Sequence, residues 1–221
     1  MTAQLDHLGV RYHGLVYRAH HPGWAYLPTS GEGAKRHGGR FNRKGQTALY
    51  TSLDLTTAWL DAQQGFPFKA QPMTLVAYQV RCERVADLTD LDRLVAASID
   101  PADLGCAWED LASRGLRAPT WRIADALLAA GFQGALVPSF APALNPAPTP
   151  AQRRNLVFWT WASAAPCSVQ VIDDFGRLPK DAASWEVSES AAETTPITAS
   201  NSTSVSCAVL RRHCAHCVAA G

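Results

Sequence analysis

Apolar residues recur along the chain in short blocks, and the spacing within a block predicts the element it forms. Six blocks rich in β-branched and aromatic residues predict strands at 15–17, 48–51, 75–80, 134–137, 156–159 and 169–172. After Asp54, apolar residues at 55, 58, 59 and 62 follow the helical period, with Asp54 as the N-cap. A second helix is predicted from Pro119 to the C-capping Gly131, and 87–115 is predicted to be helical in pieces.

The order of these elements predicts the fold class. Strands and helices do not alternate regularly, so we expect an α+β fold with mostly antiparallel pairing instead of a doubly wound parallel sheet. The pattern extends over residues 1–179, which we predict to be one domain. Residues 180–221 contain eleven Ser or Thr among 42 and show no apolar period, so they are predicted to be a flexible tail.

Composition narrows the class of protein. The 221 residues carry a formal net charge of +1, which argues against a globally basic nucleic-acid binder. No apolar run approaches the ~18 residues of a membrane-spanning helix, and the start lacks a secretory pattern, so we expect a cytoplasmic protein with no membrane partner. In that compartment the six cysteines are expected to be reduced thiols. Cys214 and Cys217, with His213 and His216, resemble half a zinc site, but a second ligand pair is lacking and no metal is expected.

The segment 31–45 is the most informative part of the sequence. Five of its 15 residues are Gly and five are Lys or Arg. Glycines let backbone N–H groups converge on an anion, and Arg can hold a phosphate through two parallel hydrogen bonds. One interpretation is a site for a phosphorylated ligand, and the other is a mobile, solvated surface loop. The Gly-rich dinucleotide fingerprint and the phosphate loop ending in Gly-Lys-Ser/Thr are both absent.

Four further residues are candidates with ordinary structural alternatives. Arg18 ends the first predicted strand and is either an exposed strand end or a ligand contact. Tyr50 lies in an apolar strand, where a core role competes with stacking on a ligand. Asp61 lies on the helix after it, seven residues beyond Asp54, and a single helical Asp is usually solvated. Ser139 follows a strand but lacks the nucleophile-elbow sequence.

Together these residues resemble the RES domain, a bacterial toxin family. The resemblance extends over about residues 15–173, and the block 30–42 is its most specific part. The matching residues are Tyr17-Arg18, 30–42, Gly45, 48–50, 58–61, 134–139 and 155–157. The family's Arg corresponds to Arg18 and its Ser to Ser139, whereas Asp61 stands at the position of its Glu.

The resemblance implies an ADP-ribosyltransferase-like fold, with two mostly antiparallel sheets packed around an NAD cleft. It implies the toxin of a toxin–antitoxin pair, silenced by a small Xre-like helix-turn-helix antitoxin, with DNA contacted only through that partner. NAD would be the substrate, and ADP-ribose would pass to a protein, phosphate or water. Arg18, Asp61 and Ser139 are the implied catalytic residues. The implied NAD-binding residues are Lys35, Arg36, His37, Arg40, Tyr50 and Asn155.

A second interpretation is a nucleic-acid-binding or RNA-cleaving toxin that uses the basic segment. It accounts for the cations of 35–44 but not for Asp61 or the near-neutral net charge, and no nucleic-acid-binding motif supports it.

Overall fold

The computed structural model describes residues 2–63, 72–141 and 153–185. The strands of this part are β1 Gly9–His20, β2 Leu49–Ser52, β3 Thr74–Asp87, β4 Gly134–Pro138, β5 Arg154–Phe158 and β6 Cys167–Val171. The helices are α1 Thr2–Leu5, α2 Glu32–His37, α3 Leu55–Gln63, α4 Leu91–Ala96, α5 Pro101–Leu104, α6 Trp108–Ser113 and α7 Pro119–Ala129. Short 3₁₀ helices span Asp6–Leu8, Pro22–Trp24 and Ala182–Trp185. The predicted α+β class is confirmed.

The strands form one sheet that closes on itself. The order is β1-β2-β5-β4-β3-β6, and β1 also pairs with β3, so the first five strands form a ring with β6 alongside β3. Pairing is antiparallel except between β3 and β4, which agrees with the prediction of mostly antiparallel pairing. The expected pair of packed sheets is wrong, because the long β1 reaches both β2 and β3 and joins what would have been separate sheets.

The two longest strands extend well beyond their predicted cores. β1 has 12 residues and β3 has 14. Polar residues such as Arg81 and Glu83 alternate with buried ones such as Val80 and Cys82, so one face is solvated and the other packed. The prediction from apolar blocks alone found only the uninterrupted part of each strand.

Successive residues of the strands point to opposite faces of the sheet and pack into two separate hydrophobic cores. One fills the ring and includes Val16, Tyr78 and Leu156, and the other lies outside it against α7 and includes Val157 and Leu127. Both faces of β4 are therefore covered, which explains its continuous apolar sequence.

The expectation that all cysteines are reduced thiols is wrong for one pair. Cys82 and Cys167 lie directly opposite each other on β3 and β6, with Cα atoms 4.0 Å apart, and they form a disulfide. Sequence separation hid the pair, since the register that brings the two strands together arises only in the folded sheet. Cys106 is half-buried and free. The tail cysteines lie outside the described residues, as do residues 186–221 of the predicted tail.

Candidate active site

The glycine-rich segment is folded, which argues against the mobile-loop interpretation. Its first half is α2, and a positive φ of 76° at Gly38 ends that helix. Gly39 then packs so closely that a Cβ there would lie 2.6 Å from the Tyr50 hydroxyl oxygen. Gly38 and Gly39 therefore serve the tight packing of this segment.

Three tryptophans hold this segment and the residues just before it. The indole N–H of Trp121 donates to Gly39 O at 2.8 Å, and that of Trp159 donates to Phe41 O at 2.9 Å. The indole N–H of Trp161 donates to Thr29 O at 3.1 Å. Helix α7 and the residues after β5 thus fix the segment from two sides.

The backbone N–H groups of the segment are largely engaged within the protein. Those of Gly38, Gly39, Asn42 and Gly45 donate to backbone carbonyls, and that of Phe41 donates to the Tyr50 hydroxyl at 2.9 Å. An anion at this segment would therefore contact its side chains more than a nest of backbone N–H groups.

Asp61 lies at the centre of a polar cluster that also contains two other predicted site residues. Ser139 Oγ donates to Asp61 Oδ1 at 3.0 Å, and Asn155 Nδ2 donates to Asp61 Oδ2 at 2.5 Å. Ser52 Oγ lies 3.4 Å from the same Oδ2. Residues from α3, β2, β5 and the end of β4 thus converge on one carboxylate, which fixes its orientation.

The neighbours of this cluster are set by the strand register. Tyr50 and Ser52 share a face of β2, and Asn155 stands opposite Ser52 on β5. Asn155 Oδ1 is buried and has no hydrogen-bond partner among the described residues. A buried acceptor without a donor is costly and is typical of a position that meets a ligand or water.

Arg40 lies near this carboxylate. Its guanidinium stacks 4.3 Å from the Phe140 ring centroid, and Nη1 donates to Leu104 O at 3.2 Å and Cys106 O at 2.7 Å. Burial lowers the pKa of Arg40, while nearby acidic groups that include Asp61 act to raise it. The half-buried cation thus stacks on Phe140, the residue after Ser139, and is close enough to Asp61 for the two charges to interact.

Tyr50 is anchored through its hydroxyl. Its Oη donates to Asn42 Oδ1 at 2.7 Å and accepts from Phe41 N, and burial raises the pKa of this phenol. Asn42 in turn donates to the carbonyls of Ala34 and Gln46. Tyr50 therefore has a clear structural role in fixing the segment, beside the predicted stacking role of its ring.

Arg18 lines a cleft whose lining does not include Asp61, Ser139 or Asn155. Its Nη1 donates to Pro28 O at 3.1 Å and Ser30 O at 2.9 Å, and burial lowers the pKa of its guanidinium. Tyr78 Oη donates to the same Pro28 oxygen at 2.7 Å. The lining of the cleft consists of Arg18, His20, Trp24, Leu27, Ser30, Glu32, Gly33, Arg36 and His37.

The predicted cations of α2 divide between this cleft and solvent. Arg36 and His37 line the cleft, although both are exposed. Lys35 Nζ bonds Glu32 Oε1 at 3.0 Å, and Arg36 Nε lies 4.0 Å from the other oxygen of Glu32. The structure therefore joins Asp61, Ser139 and Asn155 directly, and it groups Arg18 with Arg36 and His37. Arg40 contacts the residue after Ser139 but none of the three.

Comparison with known proteins agrees with this architecture. The RES domain family matches residues 15–181, which is most of the chain. The chain belongs to the RES domain family. A chain of the crystal structure of the M. tuberculosis MbcT–MbcA toxin–antitoxin complex has a similar fold, with a TM-score of 0.54 and 19% identity. The similarity covers 78% of this RES chain and 88% of that chain. No curated protein matched.

Sequence reasoning did not select several residues that line the Arg18 cleft or lie next to a predicted site residue. His20, Trp24 and Ser52 were absent from the predicted set, as was Phe140. His20 stands two residues beyond Arg18, and on a strand that spacing puts two side chains on the same face. That alternation was the available signal. Within residues 2–63, 72–141 and 153–185, no helix is long and apolar enough to cross a bilayer, and no group of three or more metal-ligating side chains occurs.

Proposed function

We propose that this RES protein is the toxin of a toxin–antitoxin pair and that it consumes NAD. The reaction is cleavage of the nicotinamide–ribose bond with transfer of ADP-ribose to a protein, phosphate or water. The family match and the fold shared with a toxin–antitoxin structure support the toxin class. The polar cluster around Asp61 supports the chemistry and is the observation that carries the proposal.

The cluster suits a reaction in which positive charge develops on a sugar. Cleavage of a glycosidic-type bond passes through an oxocarbenium-like state. A carboxylate whose two oxygens are held by Ser139 and Asn155 is already oriented and needs little reorganisation when that charge forms. The unpartnered Asn155 Oδ1 beside it fits a donor such as a ribose hydroxyl.

Aspartate at the family's glutamate position is compatible with this role. Although Asp61 is one methylene shorter, its carboxylate reaches both Ser139 and Asn155 within hydrogen-bond distance. Ser139 and Asn155 therefore lie close enough to contact the shorter side chain. Arg40 would supply positive charge for the pyrophosphate, together with Arg18 and Arg36 of the Arg18 cleft. Nicotinamide leaves as a neutral molecule, so the reaction needs no strong general acid.

The partner and the compartment follow from the class of protein. We infer a small Xre-like helix-turn-helix antitoxin that blocks the enzyme, with contact to DNA only through that antitoxin, and a cytoplasmic location. No metal is part of this proposal.

The nucleic-acid interpretation finds less support in the charge arrangement. Lys35 and Arg36 pair with Glu32, and Arg43 Nη1 lies 3.7 Å from Asp125 Oδ2. A phosphate backbone is bound by cations that can exchange small counterions for phosphates. Lys35 and Arg43 thus face carboxylates of the same chain, whereas Arg36, whose contact with Glu32 is 4.0 Å long, also lines the Arg18 cleft.

The deciding experiment incubates the purified protein with NAD labelled in the adenylate part, alone, with phosphate, and with cell lysate. Label on a protein band means transfer to protein, and a small labelled product formed only with phosphate means phosphorolysis. ADP-ribose formed in buffer alone means hydrolysis. Intact NAD in all three arms, from a protein that arrests growth when expressed, would refute NAD consumption. Rescue of growth by a co-expressed small helix-turn-helix protein from the same locus tests the antitoxin.

A further inference from the structure

His20 is a buried histidine on the wall of the Arg18 cleft, with one ring nitrogen unpaired. The residue is 7% exposed and belongs to the cleft lining. Its Nε2 is buried and has no hydrogen-bond partner among the described residues. Leaving a buried polar atom unpaired costs about 1–3 kcal/mol, so such atoms usually serve a ligand or an ordered water.

The hydrogen-bond pattern fixes what kind of partner this nitrogen needs. His20 Nδ1 lies 3.3 Å from the backbone oxygen of His21. A carbonyl oxygen only accepts, so the hydrogen belongs on Nδ1 and Nε2 carries the lone pair. Burial, together with the positive charge of Arg18, lowers the pKa of His20 to about 4. The ring is therefore neutral at physiological pH, and its Nε2 is a hydrogen-bond acceptor.

The side-chain oxygen acceptors of the cleft are already engaged, because the carboxylate of Glu32 faces cations of its own helix and Ser30 Oγ accepts from Glu32 N at 3.2 Å. Arg18 and Arg36 line the same cleft and only donate, which suits the phosphates of a nucleotide. A bare phosphate oxygen would be repelled by the lone pair on His20 Nε2. The ligand group that meets His20 must therefore carry an O–H or N–H close to the phosphates. In a dinucleotide the ribose hydroxyls are the donors nearest the pyrophosphate.

We propose that His20 Nε2 accepts a hydrogen bond from a ribose hydroxyl of NAD while the adjacent cations hold the pyrophosphate. His20 is thus a substrate-binding residue that selects a ribose-bearing ligand over a simple polyanion. This assignment rests on the proposed function, since it takes NAD as the ligand. It adds a residue two positions beyond Arg18 that recognises the sugar.

The test measures binding of ADP-ribose, which keeps both riboses and the pyrophosphate, by titration calorimetry, alongside NAD turnover. His20→Phe keeps a flat ring and removes the acceptor. We expect its affinity for ADP-ribose to fall about tenfold and the KM for NAD to rise similarly, with kcat changed less than threefold. His20→Asn offers an oxygen acceptor and should recover part of the affinity. The matched control is His13→Phe, an exposed histidine of the same strand, which should bind as wild type does.

A chemical cycle separates a ribose contact from a general loss of packing. The test uses a set of ADP-ribose analogues, each lacking one ribose hydroxyl. The analogue that lacks the hydroxyl contacted by His20 should bind the wild-type protein about tenfold more weakly than ADP-ribose does. The same analogue should lose little further affinity with His20→Phe, because the contact is already gone. Additive losses for every deoxy analogue would overturn the proposal.

A measurement on the unmodified protein covers the case in which the Phe variant does not fold. The ¹⁵N resonance of the unprotonated His20 Nε2 should shift when ADP-ribose is added, as the lone pair accepts a hydrogen bond. No shift at saturating ADP-ribose would mean that Nε2 bonds water only and would overturn the proposal. Wild-type protein that neither binds ADP-ribose nor consumes NAD would instead refute the proposed function. If the wild type consumes NAD and His20→Phe has the same affinity for ADP-ribose and the same KM for NAD, this inference is refuted and the proposed function is not.

Discussion

Asp61→Asn gives the sharpest test of the candidate site, because it changes the charge of the central group and little of its shape. The carboxylate accepts from Ser139 through Oδ1 and from Asn155 through Oδ2. In the variant the amide oxygen can still accept from Asn155. The amide nitrogen can then donate to Ser139 Oγ, since a hydroxyl oxygen both donates and accepts. The cluster can therefore persist with its polarity rearranged.

The structure sets separate magnitudes for stability and for turnover. Two charge-assisted hydrogen bonds become neutral ones, which loses about 1 kcal/mol each and about 2 kcal/mol in all. For a domain of this size that corresponds to a melting temperature lower by about 4–8 °C. Loss of the negative charge that stabilises the developing oxocarbenium ion should lower kcat by about 10²-fold or more, or about 2.7 kcal/mol.

The assay compares NAD consumption with thermal unfolding for the variant and for a matched control. Asp87→Asn removes another half-buried carboxylate, whose Oδ1 accepts from Thr89 N at 2.9 Å and from Thr89 Oγ at 2.6 Å. It should lower the melting temperature by a similar or smaller amount and leave kcat within about twofold of wild type. Asp61→Glu restores the reach typical of the family and should retain most of the activity.

The reasoning on Asp61 fails if Asp61→Asn consumes NAD at the wild-type rate while folded. It also fails if the loss of activity merely tracks the loss of stability, as a comparison with Asp87→Asn at one temperature would reveal. In either case the carboxylate has only a structural role in joining α3 to β4 and β5.

Three further predictions follow from the same contacts. Arg40→Ala should weaken ADP-ribose binding by about 10–100-fold in calorimetry. It should also lower the melting temperature, because it leaves two backbone carbonyls without their donor. Unchanged binding would mean that Arg40 is not part of the site. Truncation after Trp185 should preserve stability and NAD consumption. Truncation after Pro179 should stay folded but melt lower, since it removes the 3₁₀ helix that packs against Pro22–Trp24, and loss of folding in either would place the domain boundary elsewhere. Burial and the charge of Arg18 lower the pKa of His20 from its ordinary 6.5 to about 4. Between about pH 4 and pH 6.5 this histidine therefore binds a proton in the unfolded chain but not in the folded one. Urea unfolding should therefore show stability falling as the pH drops through that window, with a flatter profile for His20→Phe.

The local sequence pattern was sufficient to predict the elements whose apolar residues follow one helical or strand period without interruption. The helix capped by Asp54 and the helix begun by Pro119 form as predicted. A side-chain N-cap starts the first and a proline at the first helical position starts the second, and each has an apolar face. The strands 48–51, 134–137 and 156–159 form within two residues of their predicted bounds. The glycine-rich segment was located by composition, yet its short helix α2 was not predicted.

Tertiary structure decided the features that depend on which strands meet. Closure of the sheet needs β1 to pair on both edges, and no local pattern encodes the partner of an edge. The same long-range pairing sets Cys82 against Cys167 and brings Asn155 to Ser52. The motif residues Asp61 and Ser139 could be named from the sequence, but their contact spans 78 positions and arises only when α3 meets the end of β4. The charge and hydrogen-bonding state of His20 is also a property of the fold, since burial and the nearby Arg18 determine it and neither is visible in the order of residues.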